Sequence, residues 1–162
     1  MNGYKEVIMD IGIDKKNREM MCDSLSRVLA DNFILSLKTR NYHWNVVGPQ
    51  FSQLHTLFQS VYESLDGAGD DIAERIRALG CKSPGSYVEF ITISALREEI
   101  GDPDSMEMIH SLVLDIEHLV RRTDEVKEVA LTGKDDATAD LMIEHLRSLC
   151  KFAWILRSHL EA

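Results

Sequence analysis

His43 and His55 stand on either side of the Gly48-Pro49 pair, and Asp70 and Glu74 follow at i, i+4 spacing. Two imidazoles and two carboxylates in one short stretch make a donor set for a transition metal. Borderline nitrogen ligands combined with hard oxygen ligands suit iron, and no thiolate lies within the stretch to favour structural zinc. Gln59, one turn after His55, stays within about 100° of His55, Asp70 and Glu74 around the helix. Singly, these residues have plainer readings: His43 as a helix-end cap, His55 as a satisfied surface histidine, and Asp70, Asp71 and Glu74 as a solvated face. The joint spacing is what favours a metal.

The elements that would carry these side chains follow from hydrophobic periodicity, which predicts four long helices and no strands. The first spans about Asn17 to Trp44, with Met21, Leu25, Val28 and Leu29 on one face. In the second, Phe51, Leu54, Phe58, Val61, Leu65, Ala68, Ile72 and Leu79 recur at alternating three and four spacing, broken only at Arg75. Pro49 sits where a helix start tolerates proline, and Gly80 ends the pattern. The third opens at Asp102-Pro103 and runs through Ile109, Leu112, Val113, Ile116, Leu119 and Val120 to Gly133; the fourth runs from about Asp136 to Leu160. Residues 81–101 are too long for a hairpin turn, and a short helix is expected near Ser94 to Glu99. A short first turn, a long crossing and a short last turn describe an all-α, four-helix bundle of ferritin-like connectivity.

On this frame the histidines converge, because His43 precedes Pro49 by as many residues as His55 follows it. The carboxylates do not join them within one chain. From position 55 to position 70 a helix rises ~22 Å at ~1.5 Å per residue, whereas a metal sits ~2 Å from each ligand. If the four residues share a metal, the histidines of one subunit meet the carboxylates of another across a two-fold, antiparallel helix pair. An oligomer is therefore expected before any activity is.

The 162 residues, 44% hydrophobic, suit one domain covering 1–162 with a short N-terminal extension at 1–16. No apolar run approaches the roughly 20 residues of a membrane helix. The start of the chain lacks the regions of a signal peptide, which makes the cytoplasm the expected compartment. The three cysteines, Cys22, Cys81 and Cys150, are odd in number and far apart, and read as reduced thiols. The net charge of −9 argues against a constitutive nucleic-acid surface. No basic tail overrides it, because within residues 1–20 Lys5, Lys15, Lys16 and Arg18 are balanced by Glu6, Asp10, Asp14 and Glu19. Glu107 to His110 forms an E-x-x-H, of which ordinary di-iron bundles need two, and Asp115 to His118 is a near miss. Both read as exposed polar positions.

The stretch His43-Trp44-Asn-Val-Val-Gly48-Pro49-Gln-Phe51, then Leu54-His55, then Asp70-Asp71-Ile-Ala-Glu74-Arg75-Ile-Arg-Ala-Leu-Gly80 resembles the signature of the Dps family of miniferritins. A weaker likeness runs on through Asp135 to Asp140 and Trp154 to Arg157. The resemblance implies a hollow shell of twelve subunits with iron-oxidising centres between two-fold related chains. His43 and His55 would be ligands from one chain, and Asp70 and Glu74 ligands from its mate. It also implies that Trp44 takes up oxidising equivalents beside the centre, unless it only seals a helix end, and that Asp136 and Asp140 line acidic inlet pores, unless they merely suit a helix N-terminus. The family usually carries an aspartate where this chain has Gln59, a neutral and weaker ligand for the second metal position that the resemblance implies. The expected function is a ferroxidase that oxidises Fe(II) with hydrogen peroxide or dioxygen, stores ferric mineral and protects against oxidative damage. The alternative is a DNA-coating protein in which oxidation is secondary.

Overall fold

The computed structural model describes residues 9–161 and contains five helices: α1 (Lys15–Asn45), α2 (Phe51–Ala78), α3 (Tyr87–Ile93), α4 (Ser105–Thr132) and α5 (Asp136–Arg157). Part of the charge balance expected for residues 1–20 lies outside the described residues. The four long helices form the expected bundle. α1 packs against α2 and α4, α5 against α4 and α2, and the short α3 lies against α1. The predicted seam of α2 is buried at Leu54, Phe58, Val61, Leu65 and Ile72, and it meets Leu25, Leu29 and Leu35 of α1 and Ile109, Leu112, Ile116 and Leu119 of α4 in one core. Among the described residues no helix is long and apolar enough to cross a membrane.

Local signals account for the ends. Asp14 caps α1 by accepting from Asn17 N. Gly48 adopts φ +108° in the tight α1–α2 turn, a conformation that a Cβ would oppose. α4 begins later than Asp102-Pro103. Its N-cap is Asp104, which accepts from Met106 N and Glu107 N while Glu107 returns a carboxylate to Asp104 N, so the reciprocal box outweighs the proline as a start signal. α5 ends at Arg157 rather than Leu160.

Three expectations are corrected. The short helix of the crossing lies at Tyr87–Ile93 and not at Ser94–Glu99. Ser86 and Glu89 exchange hydrogen bonds that start it, whereas Ser94 Oγ and Ala95 N both donate to Asp31 Oδ1 at 2.7 Å, which engages the later segment with α1. Cys22 and Cys81 are joined in a disulfide instead of standing as reduced thiols, and only Cys150 is free. The antiparallel α1–α2 hairpin brings the start of α1 to the end of α2, so cysteines remote in sequence become neighbours. Finally, Asp115 and His118 are half-buried and engaged rather than exposed. Lys38 Nζ donates to Asp115 at 2.6 Å, and His118 Nε2 lies 3.3 Å from the buried Asp31, which Arg122 also approaches at 3.4 Å. Glu107 serves as a cap and His110 is exposed, in line with the sequence reading.

Arg75, the one break in the α2 seam, has a structural explanation. Its Nη2 donates to Asp135 at 2.6 Å and its Nε to Thr138 Oγ1 at 2.8 Å, while Asp135 also caps α5 through Thr138 N. An ion pair between half-buried Arg75 and buried Asp135 thereby ties α2 to the start of α5, a pairing that leaves neither charge isolated.

Candidate metal centre

The α1–α2 turn places His43 and His55 face to face. Their rings stack with centroids 3.8 Å apart and planes 22° from parallel. Each Nδ1 meets the main-chain carbonyl of the other residue, His43 Nδ1 to His55 O at 2.7 Å and His55 Nδ1 to His43 O at 2.8 Å. A carbonyl can only accept, so each Nδ1 carries the proton, and in the neutral ring Nε2 keeps a free lone pair. Main-chain carbonyls commonly orient metal-bound histidines in this way. The backbone of each helix thus fixes the tautomer and plane of the other helix's imidazole. His43 is buried and His55 half-buried.

Phe51 flanks His55, with ring centroids 5.1 Å apart, and Tyr62 meets the His43 ring edge-on at 5.4 Å. Over the Tyr62 ring lies the Arg40 guanidinium, 4.4 Å from its centroid. Arg40 in turn pairs with Asp66, which also accepts from Ser36 Oγ at 2.5 Å. Gln59 is half-buried one turn beyond His55 and donates Nε2 to Glu63 Oε1 at 2.7 Å, which leaves its amide oxygen as the available donor.

Asp70 and Glu74 are exposed on the same continuous helix, far along it from the histidines. Asp70 borders a recess of about 450 Å³ whose walls include Phe33, Ala73, Tyr87 and Phe90. Among the described residues no group of three or more histidine, cysteine or acidic side chains within one chain is placed to hold a metal. The histidine pair and the carboxylate pair lie apart on the one chain.

Trp44 is 64% exposed, and its indole lines a separate recess with Leu37, Asn41 and Ile100. Asp136 and Asp140 are both exposed in the first turns of α5. The sequence reading missed Tyr62, Arg40 and Asp66. Their positions on α1 and α2 carry no motif, and only the meeting of the two helix faces brings them beside His43.

A family model for the ferritin-like domain matches residues 22–162. The chain is 39% identical over 155 residues to a low temperature-induced protein of Nostoc, covering 94% of this chain and 87% of that one. It is 32% identical to the DNA protection during starvation protein 2 of Bacillus anthracis, over 88% and 98% of the two chains. Among solved structures, the Dps protein of Vibrio cholerae, described as one of the ferritin-like diiron-carboxylate proteins, superposes with a TM-score of 0.91 at 26% identity, covering 98% of this chain and all of that one.

Proposed function

The chain belongs to the Dps family of ferritin-like proteins, and from that premise we propose that it is an iron-storing miniferritin whose chains oxidise Fe(II) at centres shared between two-fold related subunits. The observation that carries this reading is the histidine pair. Both Nδ1 protons are committed to main-chain carbonyls, so both Nε2 atoms keep a lone pair for a metal. The partner chain supplies Asp70 and Glu74, whose negative charge favours the ferric over the ferrous state. Ferrous iron is the substrate, hydrogen peroxide or dioxygen the oxidant, and ferric mineral the stored product.

Twelve subunits assembled from such dimers enclose the mineral, with Asp136 and Asp140 lining acidic inlets and the whole acting in the cytoplasm against oxidative damage. The net charge of −9 supports cation attraction and weighs against DNA as a constant partner. Anaerobic titration of the assembled protein with Fe(II), followed by peroxide or air, tests the reading. Saturable ferrous binding and rapid, stoichiometric ferric formation are expected. Oxidation no faster than that of Fe(II) in buffer overturns it.

A further inference from the structure

We propose that Cys81 and Cys22 form a dithiol site that reduces hydrogen peroxide without iron, at the opposite end of α2 from His55. The two are joined in a disulfide, and the backbone around them, not the bond alone, brings the sulfurs together. α2 ends in a paired cap in which Gly80 N donates to Arg77 O at 3.0 Å and Cys81 N to Ile76 O at 3.2 Å, with Gly80 at φ +94°. This cap folds the chain back so that Cys81 packs against the core. From α1, Cys22 Sγ lies 3.9 Å from the same Ile76 carbonyl. In the reduced state that carbonyl accepts from the Cys81 amide and from the Cys22 thiol, so the two cysteines stay opposed while the bond is open.

Access and charge assign the two sulfurs different roles. Cys22 is 5% exposed, whereas Cys81 is half-buried, so a small oxidant arriving from solvent meets Cys81 first. Arg77 Nη1 donates to Cys81 O at 2.6 Å, which brings a guanidinium beside this cysteine, and Lys82 follows it in sequence. These cations offset the negative end of the α2 dipole and favour the thiolate, the form of cysteine that attacks. Cys22 is placed to resolve what forms on Cys81.

The reaction balances in two steps. The Cys81 thiolate attacks one peroxide oxygen; the O–O bond breaks, an S–O bond forms, and uptake of one proton leaves Cys81 as a sulfenic acid with one water released. The Cys22 thiol then attacks that sulfur, the S–O bond breaks, and the hydroxyl departs with the Cys22 proton as a second water. In sum, two thiols and one peroxide give one disulfide and two waters, with sulfur oxidised and peroxide reduced by two electrons and no radical formed. An external dithiol resets the pair by exchange at Cys81, with Cys22 as the leaving thiolate that then takes a proton. The continuous apolar core holds α1 against α2 meanwhile.

The test uses the assembled protein, iron-free in the presence of a chelator, reduced with dithiothreitol, freed of reductant and mixed with one equivalent of peroxide per chain. Free thiols should fall from three per chain to one, the exposed Cys150, and the paired thiols should be lost about tenfold faster than Cys150 oxidises in a Cys22→Ser, Cys81→Ser variant. In Cys22→Ser, where the new hydroxyl keeps Ile76 O as its acceptor, dimedone should trap a sulfenic acid on Cys81. Arg77→Met should slow the thiol loss several-fold at neutral pH and less at high pH, where the thiolate forms unaided. His43→Ala with His55→Ala should leave the thiol reaction unchanged, so this site and the ferroxidase centre stand or fall separately. A native disulfide that dithiothreitol does not open while circular dichroism shows folded protein, a reduced pair oxidised no faster than Cys150, or dimedone on Cys22 of Cys81→Ser but not on Cys81 of Cys22→Ser overturns the inference.

Discussion

The proposed division of the centre between subunits can be broken and restored by mixing. α2 is one unbroken helix from Phe51 to Ala78, so His55 and Asp70 are separated by ~22 Å along its axis, and no rotamer change closes that gap around a metal with ~2 Å bonds. A variant carrying His43→Ala with His55→Ala should therefore lose oxidation, and so should a second carrying Asp70→Ala with Glu74→Ala. Neither should unfold. The first loses two hydrogen bonds between α1 and α2, worth about 1 kcal/mol each, against a continuous apolar core shared by the same helices. The second alters only exposed positions. In a hybrid dimer one site loses all four ligands and the other keeps all four. Equal mixing with random pairing makes about half of the dimers hybrid and about a quarter of all sites complete. Co-refolding the two inactive variants, verifying hybrids by native mass spectrometry and following ferric absorbance after peroxide should recover roughly that fraction of native activity. Confirmed hybrids without recovery would refute a shared centre and require the metal to be held within one chain.

Three further outcomes are expected. Asp31→Ala removes a buried carboxylate that accepts from Ser94, Ala95 and His118 and leaves Arg122 unpaired; it should cost about 3 kcal/mol in chemical denaturation, and a change under 1 kcal/mol would show that the crossing is held otherwise. Reduction of Cys22–Cys81 opens a loop with a sequence separation of 59 and should lower stability by about 4 kcal/mol on a chain-entropy estimate; thermal melts with and without reductant check this, and coincident melts contradict it. Burial pushes His145 down from 6.5 to about 4, and its Nε2 has no hydrogen-bond partner. Because the unfolded chain takes up the proton first, stability is full above about pH 6.5 and falls as the pH drops towards 4, by up to about 3 kcal/mol. His145→Leu should flatten that part of the acid-unfolding profile followed by circular dichroism, and an unchanged profile would assign the acid sensitivity elsewhere.

What could be read without coordinates is what local pattern encodes. Helix content and order follow from apolar periodicity, because a helix that buries one stripe writes that stripe into neighbouring residues. Convergence of His43 and His55 was legible for a related reason: a turn as short as 46–50 leaves little freedom in how the flanking helix ends meet. Their distance from Asp70 and Glu74 was legible too, because the rise of a helix is constant. Contacts between remote faces are different. The Cys22–Cys81 bond, the Arg75–Asp135 tie and the placement of Tyr62 against His43 depend on how α1, α2 and α5 rotate about their axes as they pack, which is set by the whole core at once. The crossing helix was misplaced because Asp31, on α1, captures Ser94 and Ala95, and nothing within residues 81–101 announces a hydrogen-bond acceptor supplied by another helix.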